Sequence, residues 1–171
     1  KNIEDFILND RIEGVKKFKV NATPTIIIND EKFEKSLNYK NLKKTLISLI
    51  LFYGFITNTS ADIKRIISGN ESANITIIVY ESLTCSHCAD FHKNVYPSLK
   101  KEYIDTGLAK IEFRHFPLDV AAFNASKISQ CKSDQGLEIL ESLYSNQQAW
   151  VKGNSVEEIN NNLKKFIKKE G

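Results

Sequence analysis

A pair of cysteines separated by two residues constrains this chain more than any other feature. Residues 85–88 read Cys-Ser-His-Cys, after an apolar β-like run at 75–80 and before a segment with helical periodicity at 89–101. Such a junction places the first thiol at a helix N-terminus, where unpaired backbone N–H groups and the helix dipole favour a thiolate. The second thiol follows about one helical turn later, close enough to form a disulfide with the first. This spacing is typical of dithiol–disulfide exchange.

The same spacing also occurs in zinc sites and in structural disulfides. Zinc needs two further ligands, and the sequence has neither a second C-x-x-C pair nor an H-x-x-x-H pair. The scattered candidates are His87, His92, His115 and Cys131. A permanently closed disulfide in so short a loop would gain little stability. We therefore expect redox exchange, with no metal and no cofactor.

Composition indicates a single globular domain over residues 1–171. The chain has 171 residues, of which 42% are hydrophobic, enough for an ordinary core. Its net charge of +3 is too small to indicate nucleic-acid binding. Three cysteines leave Cys131 without a partner once the C-x-x-C pair closes.

Residues 40–61 carry the pattern of a secretory signal peptide. Lysines precede a short apolar run at 46–56, and small residues follow at 59–61. The apolar run is too short to span a membrane. Because 39 residues precede this segment, a second interpretation is an amphipathic or buried helix from Asn38 to about Ile50, followed by a linker. The sequence favours the helix.

Periodicity and turn signals predict the remaining elements. Helices are expected at 3–17, from Asn38, after the cysteines and over most of 120–169; strands are expected at 25–30, 33–37, 65–67, 75–80 and 110–116. Pro97 predicts a kink or an early end of the helix that carries the second cysteine. Ser155 and Glu158 have the spacing of a capping box.

Four segments carry a resemblance to known proteins. They are 75–92, which contains the cysteine pair, 113–119, 131–148 and 18–29, which contains Ala-Thr-Pro-Thr. Residues 75–92 resemble the active-site segment of a known family, and 113–119 resemble its next strand and the exit from that strand. Residues 131–148 resemble the start of its helical insertion. Residues 18–29 resemble its cis-proline loop and the strand after it. The family is the DsbA-like thiol oxidoreductases of the thioredoxin superfamily. The resemblance implies an α/β, thioredoxin-like fold with a helical insertion.

The order of these segments departs from the family. The cis-proline half (1–50) precedes the active-site half (62–119) and the helical insertion (120–170), whereas in the family it follows the insertion. The chain is therefore interpreted as a circular permutation, a join of two tandem gene copies, or segments written out of order. The family often pairs the cysteine that matches Cys131 with one in a stretch missing here, so Cys131 is expected to be a structural thiol.

The resemblance and the helix position together assign roles to the active-site residues. Cys85 is the expected nucleophile and Cys88 the shielded resolving thiol. His87 is expected to stabilise the thiolate of Cys85 by hydrogen bonding or charge. If that thiolate titrates about three units below pH 7, the reduced state gains roughly 4 kcal/mol, which corresponds to about 90 mV toward a stronger oxidant.

The resemblance also implies a substrate-binding surface beside the thiols. Thr23 and Pro24 match the loop whose X-Pro bond is cis in the family, and Thr23 would contact the disulfide and the substrate. Ser86 stands where the family most often has proline, which makes the dipeptide between the cysteines looser. Glu81 is a weaker candidate for the proton acceptor of Cys88, because the family places its acidic residue two positions earlier. His92 and His115 are expected to be structural.

The expected function is that of an enzyme, a monomeric periplasmic oxidoreductase that donates disulfides to unfolded or reduced secreted proteins. A membrane reoxidase is an expected partner. One alternative is a disulfide isomerase or reductase on the same fold, which a redox potential would distinguish. The other is a non-enzymatic module that binds a metal or a peptide through its thiols.

Overall fold

The computed structural model describes residues 2–50, 64–131 and 136–170. Their helices are α1 (Ile3–Phe18), α2 (Tyr39–Ile50), α3 (Ser86–Asn94), α4 (Tyr96–Leu99), α5 (Val120–Cys131), α6 (Gly136–Ser145), α7 (Gln147–Trp150) and α8 (Val156–Glu170), with a π-helical turn at Lys100–Ile104. Their strands are β1 (Thr25–Ile28), β2 (Glu31–Lys32), β3 (Ile66–Ser68), β4 (Ile75–Glu81) and β5 (Ala109–His115).

The strands form one mixed sheet in the order β2-β1-β4-β5-β3. Central β4 runs parallel to β5 and antiparallel to β1, with Thr25 opposite Tyr80. This register brings the residues just before β1 to the end of β4, where the cysteine segment begins. The sheet therefore joins the 2–50 segment to the 64–131 segment and places the proline loop beside the thiols, as the expected thioredoxin-like fold requires.

Both faces of β4 are buried, which explains its nearly continuous apolar sequence. Ile77 and Val79 point into the larger core, which includes Trp150 and other residues of the helical insertion. Ile78 and Tyr80 point to the opposite face, into a smaller cluster with Phe18 at the end of α1. Helices on both faces thus hold rigid the strand that delivers the active-site cysteines.

The strand predicted at 33–37 is wrong, because the hairpin turns earlier than expected. Asn29 and Asp30 have φ values of 47° and 66°, and Ile28 pairs with Glu31. Two consecutive left-handed residues make the two-residue turn that matches strand twist, and Asn and Asp tolerate this conformation. The Asn29 side chain also accepts a hydrogen bond from the Thr76 backbone N–H at 2.9 Å, which ties the turn to β4.

The predicted interruption at Pro97 is confirmed. Helix α3 ends at Asn94, and Pro97 lies in the first turn of α4, where its missing N–H removes no helical hydrogen bond. The capping box is confirmed in part. The Ser155 hydroxyl accepts from the Glu158 N–H at 3.1 Å, but the Glu158 carboxylate accepts from Asn154 rather than from Ser155.

A buried carboxylate anchors α1 against the sheet. Asp10 is 1% exposed and accepts hydrogen bonds from the Arg65 guanidinium and, at 3.3 Å, from the His115 backbone N–H. Burial outweighs these favourable contacts and raises the pKa of Asp10 to about 6. Nearby, Arg114 bonds Glu13 of the same helix at 2.8 Å. Charged contacts thus fix the 2–50 segment to β5 and to Arg65, the residue before β3.

The helix expected from Asn38 to about Ile50 is confirmed as α2, with Leu42 and Leu46 fully buried. The rest of the signal-like segment, including the small residues at 59–61, lies outside the described residues. Within the described ranges, no helix combines the length and apolar character that crossing a membrane requires.

Candidate active site

The cysteine segment begins in a tight turn at the end of β4. We call Ser82–Cys85 the active-site turn; the Cys85 N–H closes it by donating to the Ser82 carbonyl at 3.0 Å. Cys85 then serves as the N-cap of α3, with extended backbone angles (φ −80°, ψ 119°). This geometry turns its side chain toward the first N–H groups of the helix.

The Cys85 sulfur is half-buried and strongly acidified. Its pKa is lowered to about 5, first by a hydrogen bond with the Cys88 thiol and then by the Thr23 side chain and the backbone N–H groups of Cys88 and His87. Partial burial opposes the shift without cancelling it. A helix N-terminus that donates to sulfur favours the thiolate, as the position of Cys85 predicted.

The surroundings of Cys88 shift its pKa in the opposite direction. Its side chain is fully buried, and burial is the main cause of a raised pKa. Its hydrogen bond to Cys85 and the negative charge of Glu81 raise that pKa further. The expected exposure of the two thiols is confirmed, with Cys85 accessible and Cys88 shielded. Their roles as nucleophile and resolving thiol stay predictions.

The proline loop lies against the thiols, as expected. The Thr23–Pro24 peptide bond is cis. The Cys85 sulfur lies 3.4 Å from the Thr23 carbonyl oxygen, to which it donates when protonated, across 62 positions of sequence. Thr23 and Pro24 are both partly exposed, so this side of the sulfur is open to a partner.

His87 and Ser86 lie at the exposed start of α3. The part of His87 that stabilises the Cys85 thiolate is its backbone N–H, which any residue except proline would supply. The expected role of the imidazole stays a prediction. Ser86 borders a groove of about 590 Å³ between α3 and the α6–α7 corner, whose walls include Asp90, Lys93 and Gln148.

Behind Cys88, Glu81 forms a buried pair with His92. The His92 Nε2 and the Glu81 Oε2 are 2.8 Å apart, and the two side chains are 6% and 1% exposed. The imidazole stacks on the ring of Tyr144, with centroids 4.0 Å apart. The sequence ranked Glu81 low and did not pair it with His92. A signal existed, because His92 follows Cys88 by four residues and therefore shares its inward face of α3.

Three buried polar atoms in this cluster have no hydrogen-bond partner among the described residues. They are Glu81 Oε1, His92 Nδ1 and the Tyr144 hydroxyl. Orphaned buried polar groups are rare and often mark catalytic chemistry or a bound water. Burial is the main cause of a raised pKa of Tyr144, and the negative charge of Glu81 raises that pKa further. A polar cluster thus lies beside the buried Cys88 thiol.

The helical insertion supplies a residue that sequence reasoning missed. The Gln147 side-chain amide donates to the carbonyl oxygens of Leu83 at 2.8 Å and of Cys85 at 3.0 Å. Gln147 is 8% exposed. It lies in the 131–148 segment that resembles the start of the family's insertion, but that resemblance assigned it no role, so only the packing of the insertion against the active-site turn identifies it.

Two other candidate residues lie away from the thiols. His115 is buried with Gln130, at 3.2 Å, and burial lowers its pKa, which fits the structural role expected of it. Cys131 is exposed at the end of α5 and is not in a disulfide within the described ranges. Across residues 2–50, 64–131 and 136–170, no group of three or more His, Cys, Asp or Glu side chains is placed to hold a metal ion.

Comparison with known proteins decides the family. The sequence model described as thioredoxin matches residues 1–47 and 61–170. The chain belongs to the thioredoxin family. The two matched stretches correspond to the proline-containing segment and to the active-site half with its insertion. Whether their order is a permutation stays a prediction.

Within this family, the relatives that match the chain are named for disulfide chemistry. A protein of Rickettsia prowazekii, provisionally named as a protein-disulfide oxidoreductase, is 26% identical over 141 residues, which are 81% of this chain and 47% of the relative. The crystal structure of a threonine-to-valine variant of Wolbachia pipientis α-DsbA1 is 33% identical with a TM-score of 0.55, covering 61% of this chain and 52% of that chain. The chain thus spans about half the length of the curated relatives it matches.

A more distant structure supports the fold alone. It is the protein-disulfide isomerase from Novosphingobium aromaticivorans, which is 20% identical with a TM-score of 0.55, covering 61% of this chain and 64% of that one. The expected α/β thioredoxin-like fold is therefore confirmed by family, by sheet order and by structural likeness.

Proposed function

We propose that this chain is a thiol–disulfide oxidoreductase that donates disulfides to reduced proteins through Cys85 and Cys88. The observation that carries the proposal is the inequality of the two thiols. Cys85 is accessible with a pKa lowered to about 5, whereas Cys88 is buried with a raised pKa. Stabilising one thiolate favours the reduced protein, so the disulfide form should oxidise other dithiols.

The proposed reaction begins when a client thiolate attacks the Cys85 sulfur of the Cys85–Cys88 disulfide. That S–S bond breaks, its electron pair passes to the Cys88 sulfur, and a mixed disulfide joins the client to Cys85. A second client thiol then loses its proton and attacks the client sulfur, so that Cys85 leaves as a thiolate. The client gains a disulfide, and two electrons have passed to this protein.

The surroundings of Cys88 support a route for its proton. Because the raised pKa makes Cys88 a thiol in the reduced protein, this sulfur takes up a proton on reduction and loses it on reoxidation. The Glu81–His92 pair lies on its buried side, with one carboxylate oxygen and one ring nitrogen lacking partners among the described residues. We assign the pair as donor and acceptor of that proton. The client would bind at Thr23, Pro24 and Ser86, around the open side of Cys85.

The same proposal implies a compartment and an oxidant. A disulfide donor works where disulfides persist, and we propose the periplasm as that compartment. The two electrons must then leave by exchange with a second disulfide, for which a membrane reoxidase is the proposed source. Protein in periplasmic fractions with its cysteine pair oxidised would support this; reduced protein in the cytoplasm would contradict it.

Oxidation of reduced, unfolded ribonuclease A tests the donation directly. The disulfide form should restore ribonuclease activity while its own cysteines become reduced in proportion. Equilibration with glutathione should give a potential less reducing than about −200 mV. A potential near −270 mV, as in thioredoxin, would indicate a reductase instead. Zinc binding by the reduced protein, without any thiol exchange, would favour the thiol ligand module.

A further inference from the structure

The active-site turn is held from two sides, by Asp119 just before α5 and by Gln147 of the helical insertion. On one side, the Thr84 hydroxyl donates to the Asp119 carboxylate at 2.6 Å. This contact holds the turn through the Thr84 side chain and not through its backbone. On the other side, the Gln147 amide donates to two main-chain carbonyls, those of Leu83 and Cys85. Two carbonyls that converge on one amide group fix the backbone between them. Gln147 therefore constrains the peptide units that set the direction of the Cys85 side chain.

The Cys85 carbonyl is a sensitive point in this arrangement. It accepts from the Ala89 N–H at 3.2 Å, which is the first hydrogen bond of α3, and from Gln147 at 3.0 Å. Cys85 itself has extended backbone angles, and only this conformation lets its sulfur face the N–H groups of the first helical turn. Loss of one carbonyl partner would let the turn relax and would move the sulfur away from those N–H groups.

We propose that Gln147 is a positioning residue of the redox site, which holds the active-site turn so that the Cys85 sulfur faces the N-terminus of α3. Gln147 donates to main-chain carbonyls rather than to a sulfur, and it takes no part in bond exchange. Its effect reaches the thiolate through the carbonyls of Leu83 and Cys85. The insertion thereby tunes the reactivity of a cysteine that lies on the thioredoxin-like half of the molecule. The inference rests on the proposed function of the cysteine pair.

The test compares Gln147→Met with Gln148→Met. Methionine matches glutamine in length but donates no hydrogen bond, and Gln148 is an exposed neighbour on α7. Alkylation of the Cys85 peptide is followed against pH by mass spectrometry, and the glutathione equilibrium constant is measured for each protein. Gln147→Met should raise the pKa of Cys85 by about one unit and lower the equilibrium constant for oxidation of glutathione about tenfold, or about 30 mV. Gln148→Met should change neither.

A measurement on the unaltered protein keeps the inference testable if Gln147→Met fails to fold. The side-chain amide resonances of Gln147 should shift with the same pH midpoint as Cys85, whereas those of Gln148 should not. Unchanged Cys85 reactivity in a folded Gln147→Met protein would overturn the assignment, as would an amide that ignores Cys85 ionisation. Failure of disulfide donation by the unaltered protein would instead defeat the proposed function, because the pKa of Cys85 is measured without any client.

Discussion

The two sulfurs of the C-x-x-C pair lie about one helical turn apart, yet their surroundings are opposite. Cys85 caps the helix at a half-exposed position, beside the Thr23 carbonyl and the N–H groups of the first turn. Cys88 is fully buried, next to a carboxylate and an aromatic hydroxyl. The pKa of the first thiol is lowered and that of the second is raised. The pKa values of two identical side chains shift in opposite directions because Cys85 accepts hydrogen bonds, whereas Cys88 is buried next to a negative charge.

In the proposed reaction, this difference also determines which sulfur can meet a client. An accessible thiolate can attack or leave, whereas a buried thiol reacts only with a sulfur already bound beside it. The hydrogen bond between the two sulfurs connects their states, since it lowers the pKa of Cys85 and raises that of Cys88. The pair should therefore titrate as a unit in which Cys85 carries the charge.

The largest expected effect comes from removing each sulfur in turn, in a Cys131→Ala background that excludes the third thiol. Both Cys85→Ala and Cys88→Ala should lose ribonuclease oxidation almost completely. Only Cys88→Ala should accumulate mixed disulfides with glutathione or with a client, because its accessible thiol lacks the neighbour that resolves them. Non-reducing gels and mass spectrometry distinguish the two. Accumulation in Cys85→Ala instead would reverse the assignment of the sulfurs, and Cys131→Ala alone should keep full activity.

A smaller effect concerns the pH dependence of alkylation. The pKa of Cys85 is about 5 in the folded protein, against about 8.5 for an unperturbed cysteine. Its iodoacetamide rate should rise with a midpoint near pH 5 and level off above it, because the thiolate is then fully formed. At about pH 6 it should react roughly tenfold faster than in the denatured chain, since lower intrinsic nucleophilicity offsets much of the gain in thiolate. A rate still rising at pH 8 would contradict the lowered pKa.

Replacement of Glu81 by glutamine tests the cause of the raised pKa of Cys88, the buried thiol of the pair. The change removes a negative charge that raises the pKa of Cys88 while keeping the size of the side chain. The pKa of Cys88 should fall toward its ordinary value yet stay above that of Cys85, because burial is the larger cause. Cysteine Cβ resonances followed against pH measure both thiols. An unchanged pKa of Cys88 would show that the Glu81 charge does not affect this thiol. Glu138→Gln on α6 serves as a charge-matched control.

The smallest expected effect is that of His87→Ala. The sequence predicts a raised pKa for Cys85 and a weaker oxidant, because the thiolate would lose an imidazole partner. The structure assigns the contact to the His87 backbone N–H, which alanine retains. We therefore expect a rise of less than about half a unit in the pKa of Cys85, or less than about 15 mV. A rise of a full unit in the pKa of Cys85, with no change of that pKa in Ser86→Ala, would show that the His87 imidazole stabilises the thiolate.

The local features of the site could be predicted from sequence because short-range chemistry determines them. The apolar run 75–80 predicts a strand, and the cysteine spacing after it predicts a thiol at a helix N-terminus. Pro97 ends α3 for a steric reason that needs no tertiary context. The proline loop was recognised only through its resemblance to a family. One local signal was misread, because Asn29 and Asp30 form the hairpin turn before the predicted one.

Tertiary structure brings together at the thiols groups that lie far apart in the sequence. The pairing of β1 with β4 brings Thr23 to Cys85, and the packing of the insertion brings Gln147 to the active-site turn. The Glu81–His92 pair depends on how α3 rests on the end of β4. The four-residue spacing from Cys88 places His92 on the inward face of α3 but does not identify Glu81 as its partner. The residue type of Gln147 does not identify its contact, since glutamine occurs on any helix face. Burial and the direction of a few hydrogen bonds, set by packing, determine the acidity of each sulfur.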